Sequence, residues 1–249
     1  HHEIVNAPAY VALSCRGAVA PPGIGVRAVG IQRAERVEKA AFEQLRHLAA
    51  LFIGKAVVEV VRLGCEFGQM RPRRNPKGRE LHVLYLGRVE PVKGLDRLLD
   101  QLNGMKNVQL RIAGPSIGGY DAVLRERGDA EFIGEIHGEA KESAFDWADV
   151  LVLPSYSENF GSVIVEALSR GVPVIASKGT PWQEVEDVGC GWWTDDFRSA
   201  IEMARSANLM EMGGRGYEWV KTYFTWDASA RCLSEFYQRV GQRDAHGQK

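Results

Sequence analysis

From residue 81 onward, short apolar runs alternate with longer amphipathic stretches along the chain. The apolar runs are strand-like and occupy 81–87, 108–114, 131–134, 150–154 and 173–177. Most of them are continuous rather than alternating in hydrophobicity, which is typical of parallel strands covered on both faces. Helical periodicity occupies the stretches between them, at 94–103, 120–127, 139–147 and 160–170. This alternation predicts a doubly wound α/β domain built on a parallel sheet.

The sheet domain is predicted to cover 81–225, with smaller segments on either side. Residues 1–70 are too short for a second complete domain of this kind, so we expect a partial one. The segment 71–80 is predicted to be a linker, and it carries the basic residues Arg71, Arg73, Arg74, Lys77 and Arg79. It is either solvated or attracted to a membrane surface. We expect a closing helix over 226–241 and a frayed tail over 242–249.

Composition limits the binding partners and the cellular compartment expected for this protein. The formal net charge is −1, so no overall attraction to nucleic acid is expected. The cysteines are far apart and form no CxxC pair, which fits neither a zinc site nor a disulfide framework: Cys15, Cys65, Cys190 and Cys232. No apolar run approaches the ~20 residues of a membrane span, and no signal peptide is visible. We therefore expect a cytoplasmic protein.

The loop after the fourth apolar run is the most informative segment. In parallel α/β sheets, ligands bind outside the carboxyl ends of the strands. Here a buried strand ends near Pro154, a short polar loop follows, and a helix begins near Gly161. Glycine allows a ligand to approach the backbone, and the first amides of a helix have no partner within it. The loop therefore predicts an anion site.

Two cationic residues in the loop after the first strand could bind the same anion. Arg88 follows the first strand, and Lys93 precedes the next helix. An arginine fork and a mobile lysine could neutralise a diphosphate and stabilise it as a leaving group. Ordinary ion pairs at the surface of the loop are the alternative.

Two carboxylates in the informative segment are spaced for separate tasks. Glu158 lies in the loop, whereas Glu166 lies in the helix. Eight helical residues would span ~12 Å, which is too long for one shared proton transfer. This spacing favours contacts with two parts of an extended ligand, each carboxylate accepting from sugar hydroxyls. For Glu166, which we expect to be partly buried, a structural salt bridge is the alternative.

These motifs together resemble the retaining glycosyltransferases of the GT-B fold. The resemblance is to glycosyltransferase family 4, or glycosyl transferases group 1, whose members build bacterial lipopolysaccharide and exopolysaccharide. It rests on PSYSENFGSVIVEAL at 154–168 and GVPVIA at 171–176. The other matching motifs, in order, are Gly87-Arg88, Lys93-Gly94, Ala113-Gly114, Phe132-Ile133-Gly134 and Trp147-Ala148-Asp149-Val150. The resemblance implies a Rossmann-like donor domain, the C-terminal half of a GT-B fold.

The resemblance also implies a role for each site residue. Arg88 and Lys93 would hold the donor diphosphate, Glu158 would contact the transferred sugar, and Glu166 would bind the ribose hydroxyls. The sugar pocket would be lined by the backbone of Asn159, Phe160 and Gly161. The amides of Ser162 and Val163 would cap the phosphate, and a loop with Gly134, Ile136 and His137 would lie beside the base.

The expected reaction moves a hexose from a UDP- or GDP-sugar to a saccharide or lipid-linked acceptor, with retention. No suitably placed Asp-x-Asp pair is present, so neither a metal nor another cofactor is implied. The Gly-rich donor loop and the acceptor-domain histidine typical of the family cannot be placed in residues 1–70. A non-catalytic nucleotide-sugar-binding fragment therefore remains an alternative. Another enzyme of the same architecture, an epimerase or phosphorylase, is a further alternative. Trp192 and Trp193 are better explained as core or interface aromatics than as a sugar platform.

Overall fold

The computed structural model describes residues 10–14, 31–33, 57–62, 64, 65, 67–70 and 80–246. These residues belong to two compact units, one made of 1–64 with 223–249 and the other of 65–222. The predicted basic linker lies almost wholly outside the described residues, as does the end of the predicted tail.

The larger unit contains a six-stranded parallel sheet. Its strands are β4 (Leu81–Leu86), β5 (Val108–Ala113), β6 (Glu131–Gly134), β7 (Val150–Leu153), β8 (Val174–Ala176) and β9 (Gly191–Trp193). They lie in the order β6-β5-β4-β7-β8-β9, and every neighbouring pair is parallel. The side chains of β7 are all buried, as expected of a strand covered on both faces. The prediction of a doubly wound parallel α/β sheet is confirmed.

Helices connect consecutive strands and extend beyond the last one. They are α1 (Leu95–Leu102), α2 (Tyr120–Arg125), α3 (Gly138–Trp147), α4 (Ser162–Leu168), α5 (Glu184–Val188), α6 (Phe197–Ser206) and α7 (Leu209–Tyr223). A 3-10 turn, Pro91–Lys93, precedes α1. All five predicted strands and all four predicted helices are present, with ends that differ by up to two residues.

Strand β9 and the helices α5, α6 and α7 were not predicted. Helix α6 does carry recognisable signals: the Asp196 side chain caps it by accepting from the Ser199 amide, and apolar residues recur at helical spacing behind it. Trp192 and Trp193 lie in β9, which forms an edge of the sheet, and both are half-buried. The Trp193 indole donates to the Thr180 carbonyl at 3.0 Å.

The strand order places a switch point between β4 and β7. The chain moves outward from β4 through β5 to β6, and then returns to β7 and moves outward on the other side. The connections after β4 and β7 therefore diverge and leave a crevice at their carboxyl ends, where α/β sheets bind ligands. The segments that border it are 87–94 after β4 and 154–161 after β7.

The smaller unit has an antiparallel sheet in the order β2-β1-β3. Its strands are β1 (Tyr10–Ser14), β2 (Ile31–Arg33) and β3 (Val57–Val61). Helix α8 (Trp226–His246) begins where the sequence predicts it, but it continues through residues 242–246 of the predicted tail. The Ser229 hydroxyl of α8 donates to the Arg62 carbonyl at 2.6 Å. None of the helices in the described ranges is long and apolar enough to cross a membrane.

Candidate functional site

The two loops at the switch point are joined through their backbones. The Tyr156 amide donates to the Val92 carbonyl at 2.9 Å. Gly94 faces the Pro154 carbonyl so closely that a Cβ on it would overlap the Pro154 oxygen. Gly94 also has φ +66°, a left-handed conformation that residues other than glycine seldom adopt. Glycine at position 94 therefore allows the backbones of the two loops to come into contact.

A part-buried ion pair joins the same two loops. Lys93 Nζ donates to Glu158 Oε2 at 2.6 Å, and the two side chains are only 14% and 13% exposed. The Asn159 amide donates to Glu158 Oε1 at 3.2 Å, and the Ser155 hydroxyl lies 3.4 Å from Oε2. The Glu158 amide donates to the Gly179 carbonyl at 3.1 Å. The structure thus brings Lys93 and Glu158 together and holds the carboxylate at both oxygens.

Arg97 of α1 hydrogen-bonds to the backbone of the Glu158 loop. Its Nε and Nη2 donate to the Pro154 carbonyl at 2.9 and 2.6 Å, and Nη2 also donates to the Ser155 carbonyl at 3.0 Å. The guanidinium lies 4.5 Å from the centre of the Tyr156 ring. Sequence reasoning missed Arg97, since its partners are more than fifty positions away in the chain.

Arg88 occupies a more open position than Lys93. Its side chain is 62% exposed and pairs with Glu90 at 2.9 Å. Its carbonyl accepts from the Tyr85 hydroxyl at 2.6 Å. Burial raises the pKa of Tyr85, and the negative charges of Glu158 and Glu90 raise it further. The Tyr85 hydroxyl therefore stays protonated and keeps donating to the Arg88 backbone, while the Arg88 guanidinium faces solvent.

The start of α4 lies beside this pair. Gly161 precedes the helix with φ +70°, and a Cβ on it would come within 2.7 Å of Leu153 Cδ2 and 3.1 Å of Glu158 Cγ. The buried Trp182 indole donates to the Phe160 carbonyl, and the Phe160 and Trp182 rings lie 5.5 Å apart. The first amides of α4, Ser162 and Val163, have no partner within the helix.

Glu166 lies one turn further along α4 and is paired. Lys141 Nζ of α3 is 2.5 Å from Glu166 Oε2, in an ion pair rather than an aligned hydrogen bond. The two side chains are 31% and 23% exposed. The salt-bridge alternative left open by the sequence therefore has a specific partner. Sequence reasoning did not identify Lys141, because lysines on amphipathic helices are usually solvated.

The predicted base-side loop follows β6. Gly134 accepts the Gly114 amide at 2.7 Å, and Gly114 in turn packs against Gly87, so this loop is tied to the end of β4. Ile136 is half-buried. The His137 ring is 81% exposed and lies 3.2 Å from Glu135. Helix α3, with Lys141, begins directly after His137.

Comparison with known proteins identifies the family. The domain described as "Glycosyl transferases group 1" matches residues 67–214, which is more than half of the chain. The chain belongs to this family. The D-inositol 3-phosphate glycosyltransferase of Streptomyces griseus is 28% identical over 206 residues, which cover 68% of this chain and 44% of that enzyme. The chain thus spans less than half the length of this group 1 relative.

Solved structures show the same fold. The sucrose-phosphate synthase of Thermosynechococcus elongatus superposes with a TM-score of 0.63 at 24% identity, covering 81% of this chain and 57% of that one. HepE from Anabaena, solved in complex with UDP and glucose, has a TM-score of 0.55 at 19% identity, covering 66% and 48%. These group 1 and GT-B likenesses confirm the predicted Rossmann-like GT-B architecture.

Among the described residues, no three His, Cys, Asp or Glu side chains cluster as metal ligands would. The charged groups that meet at the switch point are instead lysine, arginine and glutamate, of which the lysine and one glutamate are already paired with each other. The arrangement offers fixed donors and acceptors to an anionic, hydroxyl-rich ligand.

Proposed function

We propose that this chain supplies the donor site of a glycosyltransferase that transfers a hexose from a UDP- or GDP-sugar with retention. The observation that carries the proposal is the part-buried Lys93–Glu158 pair at the switch point. It places a cation for a diphosphate and an acceptor for sugar hydroxyls next to each other. Membership of the group 1 family and the fold shared with HepE, which was solved with UDP and glucose, support it.

In this proposal the diphosphate lies between Lys93 and the start of α4. Lys93 supplies a compact charge, and the exposed Arg88 can turn its fork towards the phosphate oxygens. The Ser162 and Val163 amides cap the phosphate, and Gly161 lets it approach the backbone. These groups, rather than a metal ion, would stabilise the negative charge that develops on the leaving diphosphate.

In the same proposal the carboxylates of Glu158 and Glu166 bind the sugar and the nucleoside parts of the donor, respectively. Glu158, with the backbone of Asn159 and Phe160, contacts the transferred sugar. Glu166 accepts from the ribose hydroxyls. The base lies beside the loop of Gly134, Ile136 and His137. Because Glu158 is held through both oxygens, its acceptor sites are aimed before the ligand arrives, which lowers the entropic cost of binding.

The acceptor is proposed to be a saccharide or lipid-linked molecule used in cell-surface polysaccharide synthesis. Such a reaction would take place in the cytoplasm or at the inner face of the membrane. Closure over the donor would exclude water from the reacting sugar and so favour transfer over hydrolysis.

A second candidate is a non-catalytic nucleotide-sugar-binding fragment. Both candidates predict donor binding, but only the transferase releases free nucleotide when an acceptor is present. A GT-B epimerase or phosphorylase is also distinguished by this acceptor dependence.

Calorimetric titration with UDP, GDP, ADP and their glucose conjugates tests the donor site. We expect one nucleotide to bind selectively, and Glu166→Ala to weaken it about ten-fold through the lost acceptor. Glu202→Ala, which removes an exposed glutamate of α6 that pairs with Arg205, is the matched control. Arg88→Ala combined with Lys93→Ala should abolish binding; unchanged affinity in that variant would rule out the diphosphate clamp.

A further inference from the structure

Glu166 is held by α3 through both its side chain and its backbone. Lys141 Nζ lies 2.5 Å from Glu166 Oε2. The neighbouring α3 residue, Glu142, accepts from Arg170 Nε and Nη2 at 2.9 and 2.5 Å. Arg170 Nη1 then donates to the Glu166 carbonyl at 2.9 Å. Lys141 of α3 therefore contacts Glu166 directly, whereas Glu142 is linked to it through Arg170.

The two contacts have different consequences for packing. The Arg170 guanidinium is 10% exposed and lies over the Phe145 ring at 4.7 Å, whereas the Glu142 side chain is 44% exposed. The part-buried, bidentate Glu142–Arg170 pair joins α3 to the segment just after α4. The Lys141–Glu166 pair is about one-third and one-quarter exposed. A partly exposed single ion pair contributes little to folding. The helices are joined without Lys141, so its contact has another consequence.

That consequence is the orientation of the carboxylate. A free glutamate side chain samples many rotamers and loses that freedom when it binds a ligand. Lys141 lies on the buried oxygen, Oε2, and so fixes the direction of the other oxygen, Oε1. A carboxylate with one oxygen occupied by a cation can still accept from a hydroxyl on the other.

We infer that Lys141 is a positioning residue that aims Glu166 at the ribose of the donor and thereby sets the preference for ribonucleotides over 2′-deoxyribonucleotides. This inference rests on the proposed function, in which Glu166 accepts from the ribose hydroxyls. Lys141 acts through Glu166 and does not itself touch the ligand. The remaining oxygen, Oε1, accepts from the 2′-hydroxyl, so the effect of Lys141 disappears when that hydroxyl is absent.

The test is calorimetric titration of the full chain with two pairs of ligands, UDP with 2′-deoxy-UDP and GDP with 2′-deoxy-GDP. The parent chain should prefer the ribonucleotide of its selected base by about ten-fold, the contribution of one hydrogen bond to a charged group. In Lys141→Met the preference should fall to about two-fold, with the affinity for the deoxynucleotide unchanged. Lys141→Arg keeps the charge and should retain most of the preference.

The control is Lys221→Met, which removes a helical lysine that lies over the Tyr217 ring. It should keep the full ribonucleotide preference. A Lys141→Met variant that keeps the preference would show that Lys141 is only a surface partner, and one that weakens both nucleotides equally would show that it contacts the phosphates. Either result overturns the inference.

Failure of the proposed function gives a different pattern. In that case the parent chain binds no nucleotide, or Glu166→Ala leaves the ribonucleotide preference intact, and the inference falls with it. If Glu166→Ala loses the preference while Lys141→Met keeps it, the proposed ribose contact stands and only the inference about Lys141 is wrong.

Discussion

Replacing Gly94 by alanine should destabilise the fold and weaken donor binding together. The position has φ +66°, and an added Cβ would overlap the Pro154 carbonyl oxygen and lie 3.1 Å from the Pro154 carbonyl carbon. The left-handed conformation costs about 1–2 kcal/mol for a residue with a Cβ. Pushing the Pro154 carbonyl away adds about 1–3 kcal/mol of overpacking strain. The same displacement would break the Arg97 bonds to that carbonyl and move the Glu158 loop.

Gly104→Ala is a matched control, because Gly104 has φ +73° but nothing lies within 4 Å of its added Cβ. It carries the conformational cost alone, so it should lose about 1 kcal/mol and keep donor affinity. Urea unfolding followed by tryptophan fluorescence gives the free energies of unfolding, since five of the six tryptophans lie in the larger unit. Equal losses in the two variants would refute the reasoning that Gly94 is required by contact with Pro154.

Three further predictions concern single side chains. Arg97→Lys should lower the free energy of unfolding by about 2–3 kcal/mol, because lysine cannot form the three bonds to two carbonyls. The control Arg198→Lys loses exposed bonds to two carbonyls and should lower it by less than about 1 kcal/mol in the same urea titration. Glu158→Gln should leave Lys93 without its anionic partner. Calorimetry should then show that a nucleoside diphosphate binds three- to ten-fold tighter, and that its glucose conjugate binds no tighter than the diphosphate itself. Weaker diphosphate binding would contradict this prediction. Burial raises the pKa of Cys190 from 9.0 to about 12. Above pH 9 the unfolded chain therefore releases a proton that the folded chain keeps, so the free energy of unfolding should fall by about 1.4 kcal/mol between pH 8 and 10. The Cys190→Ala variant should lack this fall.

The sheet could be predicted from the sequence because its signal is local. Most of the predicted strands are short continuous apolar runs, such as VLVL at 150–153, and helical stretches lie between them. Because ligands of parallel sheets bind outside the carboxyl ends of the strands, the loops that contain Lys93 and Glu158 could be singled out before the structure was known. The strand order that places the ends of β4 and β7 side by side came from the structure.

The partners of those residues could not be predicted in the same way. Arg97 and Pro154 are 57 positions apart, and Lys141 and Glu166 belong to different helices. An arginine or lysine on an amphipathic helix has the same local pattern whether it is solvated or paired, so only tertiary packing distinguishes the two. For Glu166 the sequence left a ligand contact and a salt bridge open, and the structure shows an ion pair through Oε2. Strand β9 is only three residues long, too short to show a period.

A crystal structure of the chain with its selected nucleoside diphosphate tests the central claim most directly. The account predicts the diphosphate between Lys93 Nζ and the Ser162 and Val163 amides, with the ribose against Glu166. A nucleotide bound elsewhere on the chain, with the Lys93–Glu158 pair undisturbed, would contradict it.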